Sequence, residues 1–168
     1  MVAALALARA GDIARAQTLA DDLSKQSPLN TMLNGYWLPT IRAAIELNRK
    51  HTHKAVELVR AASAYDLGQP SPMGGTLYPV YVRGEAYLNA GEGLNAQGEF
   101  QKLIDHRSIV VNFVLGALAH LQLGRAKAIA GDKEGARKGY QDFFALWKDA
   151  DPDIPILKEA KAEYEKLQ

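Results

Sequence analysis

The chain has 168 residues, of which 48% are hydrophobic and 23% charged, an ordinary composition for a folded domain with one hydrophobic core. It carries 20 basic and 19 acidic residues, a net charge of +1, which argues against the nucleic-acid and membrane-surface binders that need a basic excess. There are no cysteines, so disulfides, thiolate metal sites and cysteine nucleophiles are excluded. The absence of cysteine is compatible with both reducing and oxidising cellular compartments. No apolar run approaches the ~20 residues that cross a bilayer.

A short motif that joins two helices recurs along the chain. Ala-Gly-Asp at 10–12 returns at 130–132, and Ala-Gly-Glu stands at 90–92. The glycine can take the left-handed conformation that ends one helix, and the acidic residue can cap the next. The last two motifs are 40 residues apart and the first two twice that, so a fourth corner is expected near residue 51. There Lys50 takes the glycine position, at a cost of about 1 kcal/mol if it is left-handed.

Apolar residues between these corners recur with the three- and four-residue spacing of amphipathic helices. The pattern predicts an all-α fold of nine helices in a single domain over 1–168, with small alanines where helices approach closely. We interpret the β-branched run at 108–115 as a loop that enters a helix, and the Pro- and Gly-rich stretch at 66–76 as a loop inside the domain. The expected elements are four helical hairpins and a capping helix, at about 2–25, 32–65, 76–105, 113–148 and 154–167.

Two spacings in the later hairpins point to a repeat family. Gly84 and Tyr87 stand at the family's Gly-x2-Tyr spacing, and Ala96 and Phe100 at its Ala-x3-Phe spacing. The chain resembles a tetratricopeptide-repeat (TPR) array over nearly its whole length, although Glu46 stands where the family prefers Tyr. The resemblance implies an α-solenoid of about four TPR-like hairpins plus a C-terminal capping helix. The period near 40 also suits HEAT-type repeats, and the two spacings favour the TPR interpretation.

Three stretches, 84–88, 117–126 and 140–157, are similar to the C-terminal TPR region of bacterial proteins that carry a eukaryotic-like Ser/Thr kinase or a winged-helix domain. That similarity implies a non-catalytic, regulatory part of a larger bacterial signalling protein, cytoplasmic or, alternatively, on the periplasmic side of a membrane-anchored parent. Residues 105–108 only mimic a kinase catalytic loop, since the needed Asp is missing. The first helix is short and has no capping signal before it, so we expect further native repeats upstream.

The resemblance also implies a binding face. In TPR arrays the first helix of each hairpin lines a concave surface, and a mixed aromatic and polar lining suits a peptide segment. We therefore expect a protein or peptide partner, with no nucleic acid and no direct membrane insertion. The alternatives are a self-association element that forms a homodimer, and a small-molecule or peptide sensor. The partner-binding residues expected from the family pattern are Trp37, Thr40, Asn48, Tyr78, Tyr81, Glu85, Asn89, Gln122 and Arg125.

Other candidate sites have a simpler interpretation. His51 and His53 point to different sides of a helix and have no carboxylate near them in sequence, so a metal site is not expected. The acidic residues at 149–153 lack the Gly and Glu of a calcium loop and are interpreted as helix capping before Pro155. Ser71 is a candidate phosphosite, with a plain turn as the preferred interpretation. We expect no catalytic residue, no metal and no cofactor.

The last helix is expected to cover the end of the fourth hairpin. Its apolar side should pack near Phe143 and Trp147, and its other side should face water, because a terminal repeat needs a polar outer surface. The residues expected to pack are Leu157, Ala160, Tyr164 and Leu167, and those expected to be exposed are Lys158, Lys161 and Glu165.

Overall fold

The computed structural model describes residues 1–68 and 77–167. Within these ranges it contains ten α-helices, one π-helical and one 3₁₀ segment, and no strand, which confirms the all-α prediction. The elements are α1 (Val2–Arg9), α2 (Ile13–Gln26), a π-helix (Leu33–Trp37), α3 (Leu38–Asn48), α4 (Thr52–Arg60), a 3₁₀ helix (Ala61–Tyr65), α5 (Tyr78–Asn89), α6 (Gly93–Asp105), α7 (Arg107–Val110), α8 (Val114–Ile129), α9 (Lys133–Leu146) and α10 (Pro155–Glu165).

The helices pack in chain order. Helices joined at a corner pack together as the pairs α1–α2, α3–α4, α5–α6 and α8–α9. The first helix of each pair also contacts the first helix of the next pair, and the second helix of each pair contacts the same neighbour. Each hairpin therefore covers the apolar side of the one after it. Within the described part of the chain, no helix combines the length and the apolar character that a bilayer crossing requires.

All four corners have the predicted left-handed residue. Gly11, Gly91 and Gly131 have φ of 87°, 75° and 86°, and Lys50 has φ of 62°. In each corner the next backbone N–H donates to a carbonyl five residues earlier, at 2.9–3.0 Å, which satisfies an orphan carbonyl of the preceding helix. The repeat spacing therefore located the fourth corner although it lacks glycine.

Capping at these corners follows the prediction only where the acidic residue is Asp. The Asp12 and Asp132 carboxylates accept hydrogen bonds from the N–H groups of Arg15 and Gly135, at 3.2 and 2.8 Å. Glu92 accepts no such bond, and its carboxylate instead lies 2.6 Å from the Asn95 amide. The expected Glu92 cap is wrong, because the short Asp side chain suits the cap position and the longer Glu does not.

A buried carboxylate compensates for the lysine at the second corner. Glu46 is 4% exposed and lies 2.8 Å from the Arg49 guanidinium, 2.7 Å from the His51 ring and 3.3 Å from the Lys54 ammonium. Burial alone raises the pKa of Glu46, but the hydrogen bonds from His51, Arg49 and Lys54 outweigh it, so that the pKa falls below 4.5. These contacts join the end of α3 to the start of α4, where Lys50 adopts an unfavourable backbone conformation.

Small residues stand at the close approaches between helices. The alanines expected there are fully buried. A Cβ atom at Gly84 would lie 2.6 Å from the Phe100 ring, and one at Gly139 would lie 2.7 Å from the Cα of Gly124. Gly84, from the Gly-x2-Tyr spacing, thus packs directly against Phe100, from the Ala-x3-Phe spacing. The alanines are Ala16, Ala55, Ala96 and Ala136.

The segment between the second and third hairpins begins in a turn over Asp66–Gly68, and Ser71 lies outside the described residues. Arg83 is 3% exposed, and its guanidinium donates to the carboxylates of Asp66 and Glu99 at 2.5 and 2.6 Å. The Lys102 ammonium lies 3.1 Å from the same Glu99 carboxylate. This buried charge cluster fixes the start of the connecting segment against the third hairpin.

Two expectations near the C-terminal end have opposite outcomes. The segment at 108–115, interpreted as a loop, contains the short helix α7 and a tight turn, so the predicted count of nine helices is wrong by one. Helix α10 confirms its prediction: Leu157 and Ala160 are buried with Phe143, and Trp147 packs against the same cluster. Tyr164 and Leu167 also pack there, while Lys158, Lys161 and Glu165 are exposed.

Candidate functional site

Four of the nine residues expected on an open face are buried. Trp37, Thr40, Tyr81 and Gln122 are 4%, 0%, 1% and 6% exposed. Their assignment to an open surface is wrong, because neighbouring first helices pack closely enough to cover these positions. The Trp37 ring packs against Tyr36 at 5.1 Å, and Tyr81 packs against Phe100.

The other five retain some exposure. Tyr78 is half-buried, with its ring 6.1 Å from the ring of Trp37, so it contributes mainly to packing. Glu85 and Arg125 are largely covered, with 19% and 20% of their side chains exposed. Of these five residues, only Asn48 and Asn89 are exposed.

Glu85 belongs to a chain of polar contacts that begins at Arg9. Both guanidinium nitrogens of Arg9 donate to the Glu85 carboxylate, the longer contact at 3.0 Å. The Arg9 guanidinium carbon also lies 5.0 Å from the centre of the Tyr81 ring, a cation–π distance. Burial raises the pKa of Tyr81 to about 12, and the nearby Glu85 charge adds to the effect. Arg9 thus joins the first hairpin to the third, a role that sequence reasoning missed.

The chain of contacts continues through α8 to α10. The Gln122 amide donates to the Tyr81 hydroxyl at 3.1 Å, and Arg125 donates to the Gln122 carbonyl at 3.3 Å. Two Arg125 nitrogens donate to the Glu163 carboxylate, both at 2.8 Å, and the Tyr140 hydroxyl donates to the same group at 2.8 Å. We call this set the polar network; its members are Arg9, Tyr81, Glu85, Gln122, Arg125, Tyr140 and Glu163.

Charge is balanced within the polar network. Arg9 and Arg125 each have a carboxylate in bidentate contact, and Glu159 adds a second acidic group 3.3 Å from Arg125. Burial raises the pKa of Tyr140, and its hydrogen bond to Glu163 adds to that rise. The network therefore offers no unpaired cation to a phosphate or nucleic acid, and its main effect is to hold hairpins together.

Two adjoining clefts lie beside the polar network at the C-terminal ends of the first helices. Their volumes are about 420 and 220 Å³, and Glu85 and Asn89 line both. We call the pair the asparagine groove. Its other lining residues are Arg9, Ala44, Leu47, Asn48, Leu88, Gln122, Arg125, Ala128, Ile129 and Tyr140.

The exposed groups of the asparagine groove come from one position of the repeat. Arg9, Asn48, Asn89 and Ile129 each stand two residues before a left-handed corner residue, and all four are exposed. The equivalent position on consecutive packed helices therefore builds a column of side chains along the groove. Asn48 and Asn89 were expected on this face from the family pattern, as two of nine residues, and their common spacing from the corners is a further sequence signal for the same position.

The two asparagines have hydrogen-bonding capacity to spare. The Asn48 amide donates to the carbonyls of Ala8 and Ala44 at 2.7 and 3.2 Å, and the Asn89 amide donates to the Glu85 carbonyl at 2.9 Å. Neither amide oxygen accepts a hydrogen bond from the described residues. Each can therefore accept from a ligand N–H, and Leu47, Leu88 and Ile129 provide apolar surface nearby.

In the described part of the chain, no three His, Asp or Glu side chains lie together in a way that could hold a metal ion. The histidines at 51 and 53 are separate: the first lies against Glu46, and the second is exposed on α4. The groove combines neutral amides, paired charges and aliphatic side chains, a combination suited to non-covalent contact with a peptide backbone.

The structure so far defines a class, an all-helical protein of stacked hairpins with a polar groove along its first helices. Comparison of the chain with protein-family models, with curated proteins and with solved structures found no match.

Proposed function

We propose that the chain is a non-catalytic interaction module, an α-solenoid of TPR-like hairpins that binds an extended segment of a partner protein in the asparagine groove. The observation that carries this proposal is the pair of equivalent asparagines, Asn48 and Asn89, which line one cleft and whose amide oxygens accept no hydrogen bond from the described residues. In this proposal the module is the regulatory part of a larger bacterial signalling protein.

The chemistry of the groove selects for a peptide backbone. A side-chain amide has both a donor and an acceptor, as a peptide group does, so it can pair with an extended chain whatever the sequence of that chain. Leu47, Leu88 and Ile129 then give contact to apolar side chains of the bound segment. Because the charged groups are already paired, a neutral or mixed peptide fits better than a polyanion.

Few anchors are available, so the affinity should be modest, on the order of micromolar. Binding is tested by selecting displayed random peptides of about twelve residues on the chain and measuring the affinity of a synthetic copy by fluorescence anisotropy. The double variant Asn48→Ala and Asn89→Ala should weaken binding about tenfold or more.

The matched control is Asn95→Ala. Like Asn89, Asn95 is an exposed asparagine on a helix, and its amide donates to a nearby residue, Glu92. It lies on α6, the second helix of its hairpin, outside the asparagine groove. That variant should retain the affinity of the parent. If no selected peptide depends on the asparagine pair, the groove is not the binding site and the proposal is wrong.

A further inference from the structure

A second and larger groove lies away from the asparagine groove, and the two share no lining residue. It has a volume of about 1110 Å³ and lies between the end of α6, helix α7, the start of α8 and the end of α9. We call it the edge groove. The polar network does not reach it, and the proposed function makes no use of it.

The edge groove is bordered by exposed apolar side chains. Val111 is 66% exposed, Phe113 37%, Val114 52% and Leu146 55%. Exposed apolar side chains grouped around one groove mark an interaction site more often than isolated exposed residues do.

One of these exposed side chains stands on a strained backbone. Residues 110–113 form a tight turn in which the Phe113 N–H donates to the Val110 carbonyl at 3.2 Å. Val111 occupies the second position with φ 53° and ψ −131°, the conformation that a type II′ turn reserves for glycine. For a β-branched residue this is a true outlier. An exposed valine thus stands where glycine would relieve the strain, and a contact of its side chain with a partner would account for it.

The charged side chains of the edge groove differ in whether the described residues pair with them. Asp142 is neutralised by the Lys138 ammonium at 3.1 Å. Burial lowers the pKa of His120; the Asp142 charge opposes this shift, and the nearby Arg107 and Lys138 charges reinforce it. The Arg107 side chain makes no ion pair or hydrogen bond with the described residues. A guanidinium beside apolar surface complements a carboxylate that is flanked by apolar groups.

We propose that the edge groove binds a short acidic and apolar segment of a partner protein, with its carboxylate on Arg107 and its apolar side chains against Val111, Phe113 and Leu146. The site is independent of the asparagine groove. The module would then have two docking surfaces, one that pairs with a peptide backbone and one that selects for acidic side chains.

The experiment uses the chain with the asparagine groove disabled by Asn48→Ala and Asn89→Ala. Displayed random peptides of about twelve residues are selected on it, and the enriched sequences should carry Asp or Glu beside Leu, Ile or Phe. A synthetic copy should lose about tenfold or more in affinity on Arg107→Ala. The matched control is Arg60→Ala, since Arg60 is exposed at the end of α4 and also lacks an ion pair with the described residues; it should leave affinity unchanged.

A second variant separates binding from folding. Val111→Gly should raise the melting temperature, because it removes the strain, and should weaken binding several-fold, because it removes a contact. The proposal is overturned if no peptide is enriched, or if the selected peptide binds the Arg107→Ala and Val111→Gly variants as tightly as it binds their parent. Concentration-dependent dimerisation that Leu146→Ser abolishes would also overturn it, since a second copy would then cover the groove.

Discussion

The polar network and the asparagine groove lie side by side on the first helices, yet their polar groups differ in availability. In the network, Arg125 and Tyr140 both donate to Glu163, and Tyr81 accepts from Gln122. A ligand there would have to break contacts that hold hairpins together. In the groove, the amide oxygens of Asn48 and Asn89 accept nothing from the described residues. We infer that a polar face binds a partner through those donors and acceptors that make no hydrogen bond within the described fold.

The largest effect is expected at the buried member of the network. Tyr81→Ala removes a side chain that is 1% exposed, leaves a cavity beside Phe100 and deprives Gln122 of its acceptor, so it should cost ~3–5 kcal/mol of unfolding free energy. Chemical denaturation measures it. A loss below ~1 kcal/mol would mean that Tyr81 is a surface residue, as the sequence alone had predicted.

A smaller loss is expected at the far end of the network. Glu163→Ala leaves the Arg125 guanidinium and the Tyr140 hydroxyl without their shared acceptor, and because these groups are only partly exposed the cost should be about 1–2 kcal/mol. Glu165→Ala, two residues further along α10 and exposed, should stay within about 0.5 kcal/mol of the parent. Equal stabilities of the two variants would show that the network does not fasten α10.

The corner beside Asn48 should respond with the opposite sign. Lys50→Gly removes the left-handed strain at φ 62° and should stabilise the fold by ~0.5–1 kcal/mol. Peptide binding should be retained, since the groove depends on the backbone of the corner and not on the lysine side chain. His53→Gly, in the first turn of helix α4, should instead cost a few tenths of a kcal/mol, since glycine is a poorer helix former than histidine. Thermal unfolding of the two variants checks both signs.

The smallest effect on stability is expected in the groove itself. Asn89 is exposed and bonds only to a carbonyl of its own helix, so Asn89→Ala should change the unfolding free energy by less than about 0.5 kcal/mol. Its effect should appear in peptide affinity alone. A melting temperature several degrees below that of the parent would show that Asn89 stabilises the fold, as the members of the polar network do.

Local chemistry explains what could be predicted from the sequence. The corners depend on single residues and their immediate neighbours, so their spacing identified even Lys50, and the amphipathic stripes identified the helices. Asn48 and Asn89 were expected from the family pattern, which also named the buried residue Tyr81. The packing of α10 followed from its apolar spacing near Phe143.

The burial of side chains and the long-range ion pairs could not be predicted, because they depend on distances between helices that no local sequence pattern contains. Whether Tyr81 is covered or open is decided by how closely α5 approaches its neighbours, and the sequence shows only that it lies on a first helix. The contact of Arg9 with Glu85 joins residues that are 76 apart, and the contact of Arg125 with Glu163 joins residues that are 38 apart. Arg9 shares its position before the corner with Asn48, which was the one signal that could have found it.

The central claim is tested most directly by NMR of the side-chain amides. The peptide is selected on the chain whose edge groove is disabled by Arg107→Ala, and this chain, labelled with ¹⁵N, is titrated with it. On addition of the peptide, we expect the NH₂ signals of Asn48 and Asn89 to shift together and those of Asn95 and Asn112 to remain unchanged. Shifts at Asn112, in the edge groove, or no shift at the asparagine pair on saturation, would contradict it.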